Sequence, residues 1–276
     1  MLPIVSIITP SFNQASFLRR TIESVLTQDY PNIEYLVLDG GSTDGSVDIL
    51  RSYGERFPWQ SQRDGGQTDA INQGLRRCRG EIVAYLNSDD TLLPGAVATV
   101  VAHFQQHQEW DMLYGNARFI DADDREFGDY PTRAYRFAQL VETCFICQPA
   151  AFWRRHTMDR FGLFDDTLDC AMDYEYWLRL GHGRATIAHV PEFLACSRIH
   201  PATKTLSMRM QVFHEILEVS RRHAGDAHLE QYCAYWHYRC HERPTGWPRL
   251  LRKLPKSHRI LGRLHRAWYR LSTAIR

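Results

Sequence analysis

Two adjacent carboxylates, Asp89 and Asp90, follow a short apolar run in the stretch AYLNSDDTLLPG, residues 84 to 95. Like charges this close repel each other unless a cation or a hydrogen-bond network offsets them, so the pair indicates either a metal site or a well-solvated turn. The turn is a real alternative, because Asn, Ser and Asp are common turn formers and Pro94 fits the first position of a helix. This stretch alone leaves both interpretations open.

Polar residues end two further predicted strands in the same way. The run IVSIIT (4–9) leads into TPSFN, the run IEYLVLD (33–39) ends in DGGSTDG, and the run EIVAYL (81–86) ends in NSDD. Open α/β sheets bind ligands at the carboxyl ends of their strands, so we expect the three clusters to meet in one crevice. Neither a GxGxxG motif nor a Walker lysine motif is present, which gives no support to a dinucleotide fold or a P-loop.

Helical patterns alternate with these strands, as a parallel or mixed sheet flanked by helices requires. The fold class predicted is therefore α/β. Beyond Lys204 the pattern is helical to the end of the chain, interrupted at ERPTGWP, so we predict one domain over 1–203 and a helical region over 204–276. The other predicted elements are helices over 16–28, 44–53, 68–77, 94–107 and 172–180 and a strand over 111–119.

The composition is that of a folded, non-membrane chain. Its 276 residues are 44% hydrophobic, with no apolar run near the roughly 18 residues that span a bilayer. The N-terminus lacks a basic leader and a small-residue cleavage site, so we expect a cytoplasmic protein. Seven cysteines include one CxxC pair, Cys144 and Cys147, whose "FI" spacer predicts a buried strand. Reduced core cysteines are favoured over a zinc site.

The net charge of +1 hides a strongly basic C-terminal tail. Residues 244–276 contain nine Lys and Arg and no acidic residue, and removing those nine leaves the rest of the chain at −8. Basic residues alternate there with Leu, Ile, Trp and Tyr at helical spacing, which is typical of an interfacial helix on an anionic membrane. The alternative is a helix that packs on the main domain and solvates its basic face. Nucleic-acid binding is disfavoured because the rest of the chain is acidic.

Four ordered motifs resemble those of family 2 glycosyltransferases. They are VSIITPSFNQASFLRRTIESVLTQDYPNIEYLVLDGGSTDGS, RDGGQTDAINQGLRRCRGEIVAYLNSDD, FDDTLDCAMDYEYWLRL and SRIHP, and together they cover roughly residues 3 to 201. The resemblance implies a GT-A fold with a mixed, mostly parallel sheet, and inverting transfer from a nucleotide-diphosphate sugar. It does not extend to the helical tail.

The resemblance also implies roles for single residues on the donor side. Asp39 would bind the base or ribose of the nucleotide, and the DxD-like motif falls on Asn87, Ser88 and Asp89. Asp89 would coordinate Mg²⁺ or Mn²⁺, which prefer hard oxygen ligands. Asn87 departs from the motif, since an Asp is common there, and it removes one negative charge from the site. The remaining residues assigned to donor binding are Thr9, Pro10, Asn13 and Asp64.

The acceptor side receives the catalytic base. Asp173 in CAMDYEYW matches the base of the family, at the start of a helix. Glu175 is the weaker candidate, because two residues turn about 200° round a helix and point it elsewhere. His200 in SRIHP matches a late histidine that ligates the metal. Asp69 is interpreted as a helix-start residue. Residues expected near the acceptor are Gln148, Trp153 and Trp177, although core packing is an equal alternative for the tryptophans.

Three functions fit these observations to different degrees. The first is a glycosyltransferase that adds sugar to a glycan or lipid-linked acceptor at the inner face of a membrane, in cell-surface polysaccharide or glycolipid synthesis. The second is a sugar nucleotidyltransferase, which usually carries a Gly-rich basic signature where this chain has PSFNQASF. The third is a catalytically silent nucleotide-sugar-binding protein. The intact Asp39, Asp89, Asp173 and His200 favour the first.

Overall fold

The computed structural model describes residues 2–239 and 257–274 of the chain. Its described part is built on a single mixed sheet whose strand order is β3-β2-β1-β4-β8-β6-β9-β5, with β7 paired to β6. The strands are β1 (Val5–Ser11), β2 (Ile33–Asp39), β3 (Trp59–Ser61), β4 (Ile82–Tyr85), β5 (Thr91–Leu92), β6 (Met112–Ile120), β7 (Glu126–Asp129), β8 (Ala151–Arg154) and β9 (Ile187–Arg198).

The sheet is parallel where the donor motifs lie. Strands β3, β2, β1 and β4 pair in parallel, and so does the long ladder between β6 and β9. The antiparallel ladders are short and involve β5, β7 and β8. Most paired residues therefore sit in parallel ladders, and the carboxyl ends of β1, β2 and β4 share one edge. This is the predicted architecture.

Helices cover both faces of the sheet and bury an apolar core on each. Leu18, Ile22 and Val25 of the first helix pack on one face, and Ala70, Ile71 and Leu75 of the third pack on the other. The helices are α1 (Ala15–Leu26), α2 (Ser46–Ser52), α3 (Gln67–Arg77), α4 (Ala96–Gln106), α5 (Phe137–Glu142), α6 (His156–Phe161), α7 (Met172–His182), α8 (Lys204–Ser207), α9 (Arg209–Ala224), α10 (Leu229–His237) and α11 (Ser257–Ala274).

One short antiparallel pairing brings distant parts of the chain to the same edge. Thr91 of β5 pairs with Cys196 of β9, and Leu92 pairs with Ala195. The residues just before β5 are Asp89 and Asp90, and the chain leaves β9 towards His200. This register therefore places the acidic pair beside a histidine that is 111 residues away in sequence.

Most predicted elements are confirmed within one or two residues at each end. The predicted strand across Cys144 and Cys147 is wrong, because residues 143–147 form an irregular segment before a 3₁₀ turn (Gln148–Ala150). Phe145 and Ile146 are buried all the same, so the apolar spacer marks burial and not strand geometry. The Cys144 and Cys147 thiols are free, as expected for reduced cysteines.

The C-terminal region is mostly helical in its described residues, with a break at 225–228 between α9 and α10, and it packs on the main domain. The helix α11 lies along α10, where a Cβ at Gly262 would stand 2.9 Å from the Cys233 Sγ. The interruption predicted at ERPTGWP falls outside the described residues, as do Trp247 and five of the nine basic residues of the tail. Within the described ranges, every helix is too short or too polar to cross a bilayer.

Candidate functional site

A cavity of about 910 Å³ opens at the carboxyl ends of β1, β2 and β4. Its walls come from three of the predicted clusters and from two later segments, the start of α7 and the chain around α8. The site is thus the crevice that the strand-end clusters predicted. Among the residues that line it are Pro10, Asp64, Asn87, Ser88, Asp89 and Asp173.

The two adjacent carboxylates have different environments. The Asp90 side chain is buried, and it accepts hydrogen bonds from the Arg198 backbone N–H at 2.8 Å and the Asn87 Nδ2 at 3.2 Å. Burial, with the neighbouring charge of Asp89, raises the pKa of Asp90 well above its usual value. The Asp89 side chain remains 16% exposed. Asp90 therefore supports the turn, and Asp89 presents its carboxylate to the cavity.

Arg198 fixes this turn from inside the protein. Its side chain is 1% exposed, and its Nε donates to the Asp89 backbone carbonyl at 2.7 Å. The guanidinium also forms a 2.5 Å ion pair with Asp124 and lies over the Phe17 ring. A buried guanidinium with these partners holds the peptide of Asp89 in one position, so the direction of the Asp89 side chain is set by the fold.

The two other residues of the DxD-like motif also lie at the cavity. The Asn87 amide accepts from the Gln67 Nε2 at 2.6 Å and donates to the Gln148 Oε1 at 3.1 Å. Gln148 in turn donates to the Tyr85 carbonyl at 2.8 Å, so the amide chain crosses the floor of the cavity. Ser88 is buried and lines the wall. A neutral amide at Asn87 lets this chain form, since it both donates and accepts.

Asp89 and His200 form a pair suited to a divalent cation. The His200 Nε2 lies 3.1 Å from the Asp89 Oδ2, and the imidazole packs against Phe17 with ring centroids 4.6 Å apart. The Asp89 carboxylate lines the cavity and the His200 imidazole beside it is buried, and such a pair fits Mn²⁺ or Mg²⁺ when a substrate and water supply the remaining ligands. No group of three or more His, Cys, Asp or Glu side chains could hold a metal within the described residues. The donor set thus fits a cation that shares its ligands with a bound substrate.

Asp173 lies in the first turn of α7 and lines the same cavity as the amide chain. Burial raises its pKa to about 6, opposed by the Tyr174 backbone N–H that donates to its Oδ1 at 2.7 Å and assisted by the negative charge of Glu215. A carboxylate with this pKa is largely ionised at neutral pH and is a stronger base than an ordinary aspartate. The side chain is partly exposed and faces the cavity.

Glu175 and the two tryptophans have structural positions. Glu175 is buried; hydrogen bonds from His223 at 2.8 Å and Arg179 at 2.7 Å overcome its burial and hold its pKa below the usual value. It points away from the cavity, as the helical geometry predicted. Trp153 and Trp177 are fully buried in the core, so the core-packing alternative is the right one and neither ring meets a sugar.

The remaining donor-side residues divide into wall and support. Pro10 and Asp64 line the cavity, and the Asp64 carboxylate lies 3.0 Å from where a Cβ would stand at Gly40, so that glycine leaves it room. Thr9 is buried and accepts from the Tyr35 hydroxyl at 3.1 Å, which places it behind the wall. Asn13 has a φ of 52° and its Oδ1 accepts from the Thr43 N–H, joining the β1 and β2 loops.

Asp39 and Asp69 stabilise the loops that they begin. The buried Asp39 carboxylate accepts from the Ser42 hydroxyl at 2.5 Å and from the Ser61 hydroxyl at 2.6 Å. It ends β2 immediately before Gly40, which lines the cavity. Asp69 accepts from the Gly65 N–H at 2.9 Å in the first turn of α3, which confirms the helix-start interpretation.

Two residues that line the cavity, Phe12 and Lys204, were not singled out from the sequence, and Arg63 lies in a matching family motif without a role assigned to it. The Phe12 ring is 60% exposed at the cavity wall, and Arg63 and Lys204 bring cationic side chains to it. The sequence did contain a signal for Phe12. An aromatic residue within a polar strand-end cluster can stack on a planar ligand. Lys204 carried no such signal, since it lies beyond the predicted domain boundary.

Comparisons with known proteins agree with this site. The family described as Glycosyl transferase family 2 matches residues 6–161, more than half of the chain. An uncharacterized glycosyltransferase of Rickettsia typhi is 28% identical over 216 residues, which cover 74% of this chain and 66% of that protein. The chain thus spans slightly less than two-thirds of the length of this relative.

Two solved structures share the fold. S. aureus TarS 1-349 in complex with UDP-GlcNAc matches with a TM-score of 0.66 at 17% identity, over 85% of this chain and 72% of that one. The mannosyltransferase PcManGT from Pyrobaculum calidifontis, in complex with GDP-Man and Mn²⁺, matches with a TM-score of 0.65 at 15% identity, over 97% and 88%. The fold is GT-A, and the chain belongs to glycosyl transferase family 2.

Proposed function

We propose that this protein is an inverting glycosyltransferase that moves a sugar from a nucleotide-diphosphate donor to a hydroxyl of a glycan or lipid-linked acceptor. One observation carries the proposal: the Asp89 and Asp173 carboxylates line the same cavity, one beside an imidazole and one with a raised pKa. The first arrangement suits a cation and a diphosphate, and the second suits removal of a proton from a hydroxyl.

The donor would lie along the ends of β1, β2 and β4. The exposed Phe12 ring offers a face for the nucleotide base, and Asp64 and the loop after Asp39 offer acceptors for its polar groups. Asn87 and Ser88 would contact the ribose. Arg63 and Lys204 bring positive charge to the cavity, which favours a phosphate-bearing ligand. Thr9, Pro10 and Asn13 would shape this wall.

Asp89 and His200 would hold Mg²⁺ or Mn²⁺ against the diphosphate. The bound cation would offset the charge that develops on the leaving diphosphate. Asp90 keeps this arrangement in place, because its hydrogen bonds with Asn87 and the Arg198 backbone fix the turn on either side of Asp89.

Asp173 would act as the general base. An acceptor hydroxyl beside its free oxygen would give up its proton to the carboxylate while its oxygen attacks the anomeric carbon and the bond to the diphosphate breaks. One in-line displacement of this kind inverts the anomeric configuration, and it needs one carboxylate where a retaining route through a covalent intermediate needs two. The tie from the Tyr174 N–H occupies only the Asp173 Oδ1.

The tail would bring the cavity to an anionic membrane at the cytoplasmic side. On α11, Ile260 and Leu264 are 53% and 60% exposed, and the exposed Arg259 and Arg263 lie beside them. This face points away from α10, which contacts the opposite side through Gly262. Apolar side chains flanked by arginines suit the interface of an anionic leaflet, where a lipid-linked acceptor would be concentrated. Polysaccharide or glycolipid synthesis would be the corresponding pathway class.

A donor-hydrolysis screen tests the central proposal without knowledge of the acceptor. The full-length protein is incubated with UDP-N-acetylglucosamine, GDP-mannose and other nucleotide sugars, with Mn²⁺, with Mg²⁺ and with excess EDTA, and free nucleotide diphosphate is measured. We expect at least one donor to be hydrolysed, with water as the acceptor, and EDTA to stop the reaction. Early NMR spectra should show the released sugar in the inverted configuration. Full turnover in EDTA, or retained configuration, would contradict the proposal.

A further inference from the structure

The segment that precedes Asp173 is held by side chains from beyond residue 203, the predicted end of the catalytic domain. Residues 169–171 lead into α7, and their three backbone N–H groups all point at one carboxylate, that of Glu215 on α9. The Glu215 Oε2 accepts from Cys170 at 2.8 Å and from Ala171 at 2.9 Å, and its Oε1 accepts from Asp169 at 3.3 Å. Residues 169 and 170 precede α7 and Ala171 is its N-cap, so these N–H groups lie outside the hydrogen-bond ladder of the helix.

The position of the Glu215 carboxylate is energetically unfavourable for a charged group. Glu215 is 7% exposed, and its negative charge acts on the nearby Asp173. A buried charge beside a second charge of the same sign raises the energy of the folded state unless hydrogen bonds offset it. The three N–H groups and the Gln211 Nε2, which donates to Oε1 at 2.9 Å, supply that offset.

Two more contacts from the same region hold the segment. The Gln211 Nε2 also donates to the Asp169 carboxylate at 2.7 Å, and the Lys204 Nζ donates to the Asp169 carbonyl at 2.8 Å. The side chains that hold the segment, those of Lys204, Gln211 and Glu215, lie beyond residue 203, the predicted end of the catalytic domain. The region thus fixes residues 169–171, which lie two to four residues before Asp173.

We propose that Glu215 is a positioning residue for the base: it locks residues 169–171 so that the Asp173 carboxylate stays aimed into the cavity. The inference rests on the proposed function of Asp173. Its physical basis is that a displacement of about 1 Å in a reacting group can lower the rate about 100-fold, although nothing that binds substrate has been removed.

Glu215 is also the charged neighbour that can tune Asp173. The other titratable groups that interact electrostatically with Asp173 are thiols and phenols. Burial raises their pKa values, so they are neutral near pH 6. Removing the negative charge of Glu215 should therefore lower the pKa of Asp173. These neutral groups are Tyr85, Tyr130, Cys144, Cys147 and Cys170, and Lys204 is the cation that faces the same segment.

The test compares Glu215→Gln, Glu215→Asp and the control Glu218→Gln in the full-length protein. Glu218 lies on the same helix, with its side chain 63% exposed. The readout is hydrolysis of the donor that the wild type turns over fastest, measured from pH 4.5 to 8. For Glu215→Gln we expect kcat to fall about 10- to 100-fold, with the donor KM within about two-fold of wild type. The acid limb of the plot of kcat against pH should move to lower pH. Glu215→Asp keeps the charge, so kcat should fall while the limb stays.

Hydrogen exchange at residues 169–174 provides a readout that does not depend on transfer. Both Glu215 variants should exchange faster there, and Glu218→Gln should match the wild type. If Glu215→Gln does not fold, Glu215→Asp carries the test alone, through kcat and exchange. Unchanged kcat with unchanged exchange would overturn the inference, and so would a loss confined to donor KM. If the wild type itself hydrolyses no donor, the proposed function fails and the exchange result still decides whether Glu215 holds the segment.

Discussion

Two short segments bring carboxylates to the cavity, and they are supported in different ways. The turn at residues 87–90 is held from within the sheet by Arg198 and Asp90, and it leaves Asp89 beside His200. The segment at 169–173 is held from outside the sheet by Glu215, and burial raises the pKa of Asp173 to about 6. The first environment suits a carboxylate that meets a cation, and the second suits one that takes up a proton.

The largest effect should follow a change in the segment at 169–173. Asp173→Asn keeps the shape and removes the base, so donor hydrolysis and transfer should fall by about 10²- to 10⁴-fold. The measurement is kcat with the donor at saturation. Asp166→Asn, at an exposed position in the loop before α7, is the matched control and should retain wild-type turnover. Near-normal turnover by Asp173→Asn would remove the base from this segment.

A change in the turn at residues 87–90 should remove the stimulation of activity by metal ions. Asp89→Ala deletes the carboxylate beside His200, and we expect activity in Mn²⁺ to fall about 100-fold, towards the level that the wild type shows in EDTA. Asp123→Ala, on an exposed loop, is the control. An Asp89→Ala protein that is still stimulated by Mn²⁺ to the wild-type extent would show that the cation is held elsewhere.

The neighbouring carboxylate should behave in the opposite manner. Asp90→Ala leaves the Arg198 N–H and the Asn87 amide without their buried acceptor, so the free energy of unfolding should fall by about 1–3 kcal/mol. Urea unfolding measures this change. Asp89→Ala should lose less, because its side chain is partly exposed. Equal losses of stability in the two variants would contradict the assignment of a structural role to Asp90 and a cation-binding role to Asp89.

The smallest effect should come from the tail, and it should leave both segments unchanged. Arg259→Gln with Arg263→Gln should weaken binding to vesicles that contain phosphatidylserine by about 1 kcal/mol per residue at low salt, and less as salt rises. Co-sedimentation with the vesicles measures this. Arg56→Gln with Arg76→Gln removes the same charge from exposed positions elsewhere and should not change binding. A full-length protein that ignores anionic vesicles would assign α11 a packing role only.

The sequence predicted the cavity better than it predicted what supports it. Asp89 and Asp173 could be singled out because a strand end and family motifs mark them locally, and both line the cavity. The separate role of Asp90 was not predictable, because it depends on Arg198, 108 residues away and brought close by the pairing of β5 with β9. Glu215 gave no signal because its partners are backbone N–H groups, which any sequence supplies.

Short strands and one irregular segment were also not predicted from the sequence. The strands β3, β5 and β7 have two to four residues each, too few for an alternating pattern to stand out. Residues 143–147 are apolar and buried but carry no strand, because their neighbours in space and not their own pattern decide their conformation. The roles assigned to Thr9, Asn13 and Asp39 stay predictions, and each of these side chains already has a hydrogen-bond partner within the protein.

The most direct test of the division between the two carboxylates is donor binding by calorimetry, with and without Mn²⁺. The proteins are the wild type, Asp89→Ala and Asp173→Asn, and the ligand is the donor that the hydrolysis screen selects. We predict that Asp173→Asn binds the donor as the wild type does, with the same gain from Mn²⁺, while Asp89→Ala loses that gain. A loss of Mn²⁺-dependent binding in Asp173→Asn, with Asp89→Ala unaffected, would contradict the assignment of both residues.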